Sequence, residues 1–274
     1  MDYKTASVEY HKKNGGKLTI TPKVRVTNKE ELSLAYSPGV AGPCMEIAKD
    51  KDKVMDLTWR KNLVAVISDG SAVLGLGNIG PEAGLPVMEG KCLLLKEFGD
   101  VDAVPIVLNT QDTEEIIETI VNIAPSFSGI NLEDISAPRC FEIEERLQEL
   151  LDIPVFHDDQ HGTAIVVLSG LINSGKVLGK DMSVVINGAG AAATATAKLL
   201  FEYGLKNILV CDSKGIISTK RSDLNSEKIK LLEFTNKKDL SGELIDAIKG
   251  SDVFIGLSVA GALTPEMVKL MSSD

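Results

Sequence analysis

The stretch Val184-Val185-Ile186-Asn187-Gly188-Ala189-Gly190-Ala191-Ala192-Ala193 decides the fold of half of this chain. An apolar run of strand type leads into a GxGxxA turn, and an alanine-rich segment of helical type begins at Ala191. Gly188 permits a tight turn, Gly190 lets a pyrophosphate approach the helix N-terminus, and Ala193 permits close packing of helix on strand. The pattern predicts a strand, turn and helix that bind a dinucleotide.

The residues that follow extend this prediction. A second apolar strand, 207–210, leads to Asp212, which lies 24 residues beyond Gly188. A carboxylate at this place can bind the adenine-ribose diol, so Asp212 favours NAD over NADP. The basic residues Lys214, Lys220 and Arg221 further along the same loop leave NADP open.

Strand-length apolar segments alternate with segments of helical period along most of the chain, which is typical of an α/β fold. The predicted strands are 63–67, 103–107, 129–132, 155–156, 183–186, 208–210 and 253–255. The predicted helices are 81–98, 113–123, 140–151, 163–174, 191–203, 240–248 and 264–271. The first 60 or so residues lack strand character, so we expect helices and turns there. The polar cluster around Asp159 to Gly162 suggests two domains, 1–160 and 161–274.

Composition and charge argue against several classes of function. The 274 residues include 29 basic and 39 acidic side chains, a net charge of −10, and no basic patch with interleaved aromatics. These features argue against a nucleic-acid partner. No apolar run reaches about 18 residues, so we expect no membrane partner and a cytoplasmic protein. The four cysteines lack a CxxC pair, and we expect reduced thiols in packed positions.

A second glycine pattern, Gly75-Leu76-Gly77-Asn78-Ile79-Gly80, does not have the context of a dinucleotide turn. The strand before it ends at Ile67, and no strand-ending acid follows about 20 residues later. We predict instead a loop on the substrate side that opens the helix from Pro81.

Two pairs of acids follow predicted strands: Glu133-Asp134 after GINL, and Asp158-Asp159 after PVF. Such positions converge on a ligand crevice in α/β sheets, and several carboxylates that meet there need a cation. Mg²⁺ or Mn²⁺ suits an all-oxygen ligand set. The alternative is that the acids are solvated turn residues or helix N-caps. His157 and His161 are read as supporting hydrogen-bond partners rather than zinc ligands.

Five motifs in order, followed by the dinucleotide turn, resemble the malic enzymes in their bacterial short form. The motifs are YSPGVA at 36–41, SDG through GLGNIG at 68–80, PVMEGK at 86–91, NLEDI at 131–135 and FHDDQHGTA at 156–164. The resemblance implies an N-terminal malic-enzyme-type α/β domain followed by a Rossmann-like dinucleotide-binding domain.

The resemblance also implies the activity, which is oxidation of malate by a nicotinamide cofactor and decarboxylation to pyruvate. Carried over residue by residue, it implies Tyr36, Lys91 and Asp158 as catalytic residues, and Glu133, Asp134 and Asp159 as ligands of Mg²⁺ or Mn²⁺. Lys91 would accept the C2 hydroxyl proton, and Tyr36 would protonate C3 after CO₂ leaves. The resemblance further implies a homodimer or homotetramer, with the segment up to about Pro43 near a subunit contact.

The chain departs from the family pattern at two places. Positions 71–73 are Ser, Ala and Val, where larger members carry a substrate-binding Arg; backbone amides around Gly75 to Gly77, Asn78 or a neighbouring subunit remain candidates. The second half of the dinucleotide fold is incomplete, so we expect a fragment, with an acyl-transferase-like extension as one possible continuation. A malolactic enzyme and a non-catalytic module in oligomer assembly are the alternative functions.

Overall fold

A computed structural model describes residues 2–73, 75–178 and 182–273 of the chain. The chain divides into two compact units. The first unit comprises residues Met1–Ile135 and Ile143–Phe156, and the second comprises Ser136–Glu142 and His157–Asp274. The boundary after residue 160, which the sequence suggests from its polar cluster, remains a prediction.

The first unit opens with short helices, as the sequence predicts. They are α1 Tyr3–Asn14, α2 Lys29–Ala35, α3 Ala41–Lys49 and α4 Val54–Leu57, with 3₁₀ turns at Lys51–Lys53 and Trp59–Asn62. The side chain of Asp2 caps α1 and that of Asn28 caps α2. No described residue of these helices is buried.

A four-stranded sheet forms the centre of the first unit, in the order β2-β1-β3-β4. The strands are β1 Leu63–Ser68, β2 Asp102–Val107, β3 Gly129–Leu132 and β4 Val155–His157. The helices between them are α5 Pro81–Gly99, α6 Thr113–Ile123 and α7 Arg139–Leu150, with a 3₁₀ turn at Ala124–Ser126. Strand β1 pairs in parallel with β2 and β3. All of β3 is buried, as expected for a parallel strand with both faces covered.

The second unit contains a second four-stranded sheet, in the order β7-β6-β5-β8. Its strands are β5 Ser183–Asn187, β6 Asn207–Asp212, β7 Gly215–Ile216 and β8 Val253–Gly256, and its helices are α8 Asp158–Leu178, α9 Ala191–Tyr203, α10 Ser226–Leu231, α11 Leu244–Ile248 and α12 Pro265–Val268. Strand β5 pairs in parallel with β6 and β8, and β7 is antiparallel to β6. The α/β class predicted from the sequence is confirmed.

Several predicted boundaries differ from the structure. The helix predicted to open at residue 163 begins at Asp158, so the acidic pair lies in its first turn, where the helix dipole favours negative charge. The helix predicted for 240–248 begins at Leu244, because Gly242 has a φ of +149° and Glu243 with Asp246 forms a capping box. The helix predicted for 264–271 ends at Val268.

The cysteines are free thiols. Burial raises the pKa of Cys92 and of Cys211 to about 12, so both remain protonated at neutral pH. Cys140 is also buried, but Cys44 is exposed. The expectation that all four are packed is therefore wrong for Cys44, which lies on the peripheral helix α3. Among the described residues, no helix is long and apolar enough to cross a membrane.

Candidate active site

The loop after β1 forms the floor of the candidate site in the first unit. Ser68 ends the strand, Asp69 directly follows it, and both are fully buried. Asp69 Oδ1 accepts hydrogen bonds from the backbone N and the Oγ of Ser71, at 2.9 and 2.5 Å. A side chain on Gly70 would collide with the backbone of Gly80, so this position requires glycine. These contacts fix the loop against the start of α5.

Lys91 and Glu133 form an ion pair at the carboxyl end of β3. Lys91 Nζ lies 3.1 Å from Glu133 Oε1, and their side chains are only 22% and 6% exposed. The other oxygen of Glu133, Oε2, accepts a hydrogen bond of 2.9 Å from Asn131 Nδ2. The pair connects α5 with the strand end and places a lysine beside a buried carboxylate, 42 positions apart in sequence.

Asp134 has an unusual backbone. It is 3% exposed and has a φ of +53°, in the left-handed region where aspartate and asparagine are the best tolerated side chains after glycine. Its carbonyl oxygen accepts a hydrogen bond of 2.9 Å from the backbone N of Ala72. Backbone strain of this kind is often found at functional sites.

Glu133 and Asp134 are suitable ligands for a hard divalent cation. They are adjacent, buried and all-oxygen, and Mg²⁺ and Mn²⁺ prefer such donors. The Lys91 ammonium balances part of the charge of Glu133. Two adjacent buried carboxylates concentrate negative charge, and such a site suits a divalent cation.

Asp158 and Asp159 belong to the first turn of α8 in the second unit. His157 is fully buried, and its Nε2 lies 4.0 Å from Asp159 Oδ2. A Cβ on Gly162 would collide with Oδ1 of Asp158, so glycine one turn later leaves room for that carboxylate. His157 is therefore beside an acid, as the sequence interpretation expects, and His161 is half-buried in the same turn.

Tyr36 is the C-cap residue of helix α2 and is 70% exposed. Its hydroxyl makes no hydrogen bond to any residue that the structure describes. The resemblance places Tyr36 in the same reaction as Lys91, but the structure does not show a contact between the two side chains within the described chain.

The glycine pattern at 75–80 forms the loop that opens α5 at Pro81, as predicted. The backbone N of Leu76 and that of Gly77 both donate to the Val73 carbonyl, and the Asn78 side chain exchanges two hydrogen bonds with Gln111. Leu74 lies outside the described residues. These donors, proposed from the sequence as substrate-carboxylate ligands, are therefore engaged in holding the loop.

The dinucleotide turn borders a cavity of about 730 Å³ in the second unit. Gly188, Gly190 and Asp212 line it. Gly188 has a φ of +134°, and a Cβ there would lie 2.5 Å from the Leu257 carbonyl oxygen. A Cβ on Gly190 would meet nothing within 4 Å, so its backbone faces open space that a phosphate can enter.

The helix after this turn has the form that the sequence predicts. Ala191 begins α9. Ala193 is 1% exposed and packs in the core beside Val184 and Ile208. The small side chain therefore permits close packing of helix on sheet, which brings the N-terminus of α9 to the cavity.

Asp212 lies at the end of β6 within a network of cations. Arg221 binds both carboxylate oxygens, at 2.8 and 2.9 Å, and Lys228 Nζ lies 2.6 Å from Oδ2. Burial of Asp212 favours its neutral form, but the bonds from Arg221 and Lys228 outweigh burial and lower the pKa to about 2. Arg221 was noted in the sequence as a basic loop residue; Lys228, 16 positions from Asp212, had no local signal.

We expect a Gly188→Ala substitution to weaken dinucleotide binding by about tenfold or more, because the added Cβ displaces the Leu257 backbone at the cavity wall. Gly204→Ala is the matched control: Gly204 has a similar φ of +121°, but a Cβ there meets nothing within 4 Å. Calorimetric titration with NAD measures both variants. If both variants bound NAD with the same reduced affinity, the loss would come from positive-φ strain and not from the displaced cavity wall.

Two protein-family models match this chain, one in its N-terminal part and one in its C-terminal part. The family model of the malic enzyme N-terminal domain matches residues 15–148, and that of the malic enzyme NAD binding domain matches residues 160–274. The chain is 56% identical to the bifunctional malic/malolactic enzyme of Bacillus subtilis, over all of this chain and 68% of that protein. It is 54% identical to the NAD-dependent malic enzyme of Geobacillus stearothermophilus, over 95% of this chain and 55% of that one.

The chain is also similar to a solved structure. The malic enzyme of Pyrococcus horikoshii superposes with a TM-score of 0.95 and 48% identity, covering 99% of this chain and 66% of that one. The chain thus spans between about half and two thirds of the length of these relatives. Other similar proteins are named as NADP-dependent malic enzymes.

Proposed function

The chain belongs to the malic enzyme family, and we propose that it carries out the oxidative decarboxylation of (S)-malate to pyruvate and CO₂ with reduction of a nicotinamide cofactor. The observation that carries the proposal is the ion pair between Lys91 and Glu133, 3.1 Å apart and shielded from solvent. It combines a proton-transfer group and a cation ligand at the carboxyl end of a parallel sheet, where α/β proteins bind their substrates.

We propose that Mg²⁺ or Mn²⁺ binds Glu133, Asp134 and Asp159, each of which offers a carboxylate oxygen. Glu133 and Asp134 directly follow β3. Strand β4 is next to β3 in the sheet, and Asp159 follows β4 after one intervening residue. A bound cation would stabilise the negative charge that develops on the C2 oxygen side of the substrate when CO₂ leaves.

The remaining chemistry is proton transfer by side chains. Lys91 would accept the proton of the malate C2 hydroxyl while hydride leaves C2. Lys91 would lose its own proton more readily once Glu133 holds a divalent cation, because like charges repel. Tyr36 would then deliver a proton to C3 of the product enolate, and Asp158 would orient the two groups. A lysine base and a tyrosine acid are a suitable pair for the two opposite proton transfers.

We propose NAD as the cofactor, bound in the cavity of the second unit. The N-terminus of α9 and the open backbone at Gly190 would hold the pyrophosphate. Asp212 lines the same cavity and is ionised, which suits a ribose diol and disfavours a 2′-phosphate. The nicotinamide ring would accept the hydride from C2 of malate.

An Asp212→Ser variant should lose preference for NAD and gain use of NADP. The substitution removes the carboxylate and leaves Arg221 and Lys228 with charge to offer to a 2′-phosphate. We expect the ratio of kcat/KM for NAD to kcat/KM for NADP to fall by about tenfold or more. Asp223→Ser, which removes another partner of Arg221 outside the cavity lining, is the control. An unchanged ratio in Asp212→Ser would place cofactor selection elsewhere.

Malolactic activity is the second candidate, because the Bacillus subtilis relative is named as a bifunctional malic/malolactic enzyme. Product analysis separates the two. Incubation with malate, NAD and Mn²⁺ should give pyruvate, CO₂ and one NADH per turnover. Lactate without net NADH would support the malolactic reaction, and no turnover with retained NAD binding would support a non-catalytic module.

The proposal includes the organisation of the protein. We assign residues 1–160 to substrate and metal and residues 161–274 to the cofactor, and we place the protein in the cytoplasm as a homodimer or homotetramer. Its small-molecule ligands are malate and pyruvate. The net charge of −10 supports the absence of a nucleic-acid partner.

A further inference from the structure

Helix α5, which carries Lys91, is intrinsically weak in the turn just before that residue. Pro86 lies inside the helix and has no backbone N–H to donate to the carbonyl of Glu82. Gly84 and Gly90 also lie inside it, and glycine and proline are the residues that favour a helix least. This part of the helix therefore needs contacts from outside to keep one geometry.

The loop after α1 supplies such contacts through Lys17. Its backbone N donates a hydrogen bond of 3.0 Å to Glu89 Oε2, and its Nζ donates to the carbonyl oxygen of Pro86. The two bonds join positions that are 72 and 69 residues apart in sequence. We call this pair of bonds the Lys17 clamp. Both acceptors lie within five residues of Lys91, so the clamp holds the turn from which the Lys91 side chain extends.

Glycines allow the two parts of the chain to approach closely at the clamp. A Cβ on Gly16 would lie 2.9 Å from Glu89 Oε1, so a larger residue there would displace the carboxylate. A Cβ on Gly90 would lie 3.5 Å from Lys17 Nζ, which places the ammonium against the helix one residue before Lys91. Lys17 is half-buried. An ammonium that is partly shielded from water forms a stronger hydrogen bond to a carbonyl than an exposed one does.

The clamp and the core hold α5 from different sides. Met88 and Cys92 are buried and pack in the core with Val66. On a helix with 3.6 residues per turn, the clamped position 86 faces a different side from positions 88 and 92. A helix that is held on two sides resists rotation about its axis and sliding along it. The clamp therefore fixes where α5 places its next side chains.

The proton transfer proposed for Lys91 depends on this placement. Lys91 Nζ lies 3.1 Å from Oε1 of Glu133, which follows β3 and is not part of α5. A displacement of about 1 Å along the line between these atoms would take them beyond hydrogen-bond distance. Misplacement of a reacting group on this scale lowers turnover by up to about 100-fold. Any residue that holds α5 in place thus influences the rate without touching the substrate.

We infer that Lys17 is a positioning residue for this proton transfer: it holds the turn of α5 before Lys91, so that the Lys91 ammonium stays beside Glu133. The inference rests on the proposed function, because it takes Lys91 as the group that accepts the C2 hydroxyl proton. Lys17 acts through α5 and not through the cofactor cavity. Its loss should therefore slow malate oxidation and leave NAD binding unchanged.

Substitution of Lys17 tests the inference in the full-length protein with malate, NAD and Mn²⁺. Lys17→Met removes the ammonium but keeps the aliphatic chain and the backbone bond to Glu89. We expect single-turnover formation of NADH to slow by about tenfold or more. Lys17→Arg restores a cationic donor and should recover most of the rate. Lys12→Met is the matched control, because Lys12 pairs with Glu9 on the exposed surface of α1, and its rate should equal that of the wild type.

A double variant separates positioning from a general loss of structure. In a Lys91→Ala background, Lys17→Met should lower the residual rate no further, because the group that Lys17 positions is already gone. A general structural role would slow oxidation by the same factor in both backgrounds. Two Glu89 variants test the other bond of the clamp. Glu89→Ala should slow oxidation, whereas Glu89→Gln, which keeps an oxygen acceptor for Lys17 N, should retain most of the rate.

The results for Lys91 and Lys17 distinguish this inference from the proposed function. If Lys91→Ala keeps the wild-type oxidation rate, the proposed role of Lys91 is wrong and the positioning role is wrong with it. If Lys91→Ala is slow but Lys17→Met matches the wild type, or slows oxidation equally in both backgrounds, the proposed function stands and the positioning role is overturned. Circular dichroism checks the fold of each variant, and if Lys17→Met is unfolded, the two Glu89 variants decide.

Discussion

Asp134→Asn should weaken Mn²⁺ binding by at least about 100-fold and stop turnover at ordinary metal concentrations. The substitution removes one negative charge from the proposed ligand set. Asparagine tolerates the φ of +53° at this position as well as aspartate does, so the backbone should be retained. Calorimetric titration of the metal-free protein with Mn²⁺ measures the effect apart from catalysis.

The control for this variant comes from β2, an edge strand of the same sheet. Asp102 opens β2 and is bound by Lys96 at 3.0 Å. Asp102→Asn removes the same charge from the same unit, and its Mn²⁺ affinity should equal that of the wild type. Equal affinities in the Asp134 and Asp102 variants would show that Asp134 is a turn residue and not a ligand.

Lys91→Ala and Lys91→Arg should both lower malate oxidation by about 10² to 10⁴, the usual contribution of general acid–base catalysis. Arginine keeps a cation beside Glu133, but its guanidinium does not release a proton in proteins. Single-turnover measurement of NADH formation reports the oxidation step directly. NAD affinity should stay at the wild-type value, because the described residues that line the proposed cofactor cavity all lie between positions 187 and 262.

The arginine variant distinguishes two roles for Lys91. If Lys91 serves only to neutralise Glu133, Lys91→Arg should keep most of the activity while Lys91→Ala loses it. Lower NAD affinity in either variant, with oxidation intact, would reverse the assignment of substrate and cofactor to the two units.

Short sequence patterns predicted the strands, turns and helices that depend on neighbouring residues. The turn at Gly188 and the strands that precede the acidic pairs follow from apolar runs and from positions that only small residues can occupy. The motifs that contain Tyr36, Lys91 and the acids predicted a malic enzyme, and this prediction of the family is confirmed because both family models match. The roles of the individual residues remain predictions.

The missed features depend on contacts between distant positions. Helix α11 was predicted too long because the apolar period ignores the φ of Gly242. Strand β7 has only two residues, too few for a period. The ion pair of Lys91 with Glu133 and that of Asp212 with Lys228 join separate elements, and no spacing rule predicts either. The exposure of Tyr36 could not be predicted either, because the motif around a tyrosine does not show whether its side chain is exposed or buried.

The bonds around Asp212 have a thermodynamic consequence for ligand binding. Lys214 N, both terminal nitrogens of Arg221 and Lys228 Nζ hold the carboxylate in one orientation. Its torsional freedom is therefore lost when the chain folds. If Asp212 binds a ribose as proposed, the carboxylate is already ordered before the ribose binds, so binding has a smaller entropic penalty. A substitution that loosens residues 221–228 should then weaken cofactor binding through entropy, without removing any atom that the cofactor contacts.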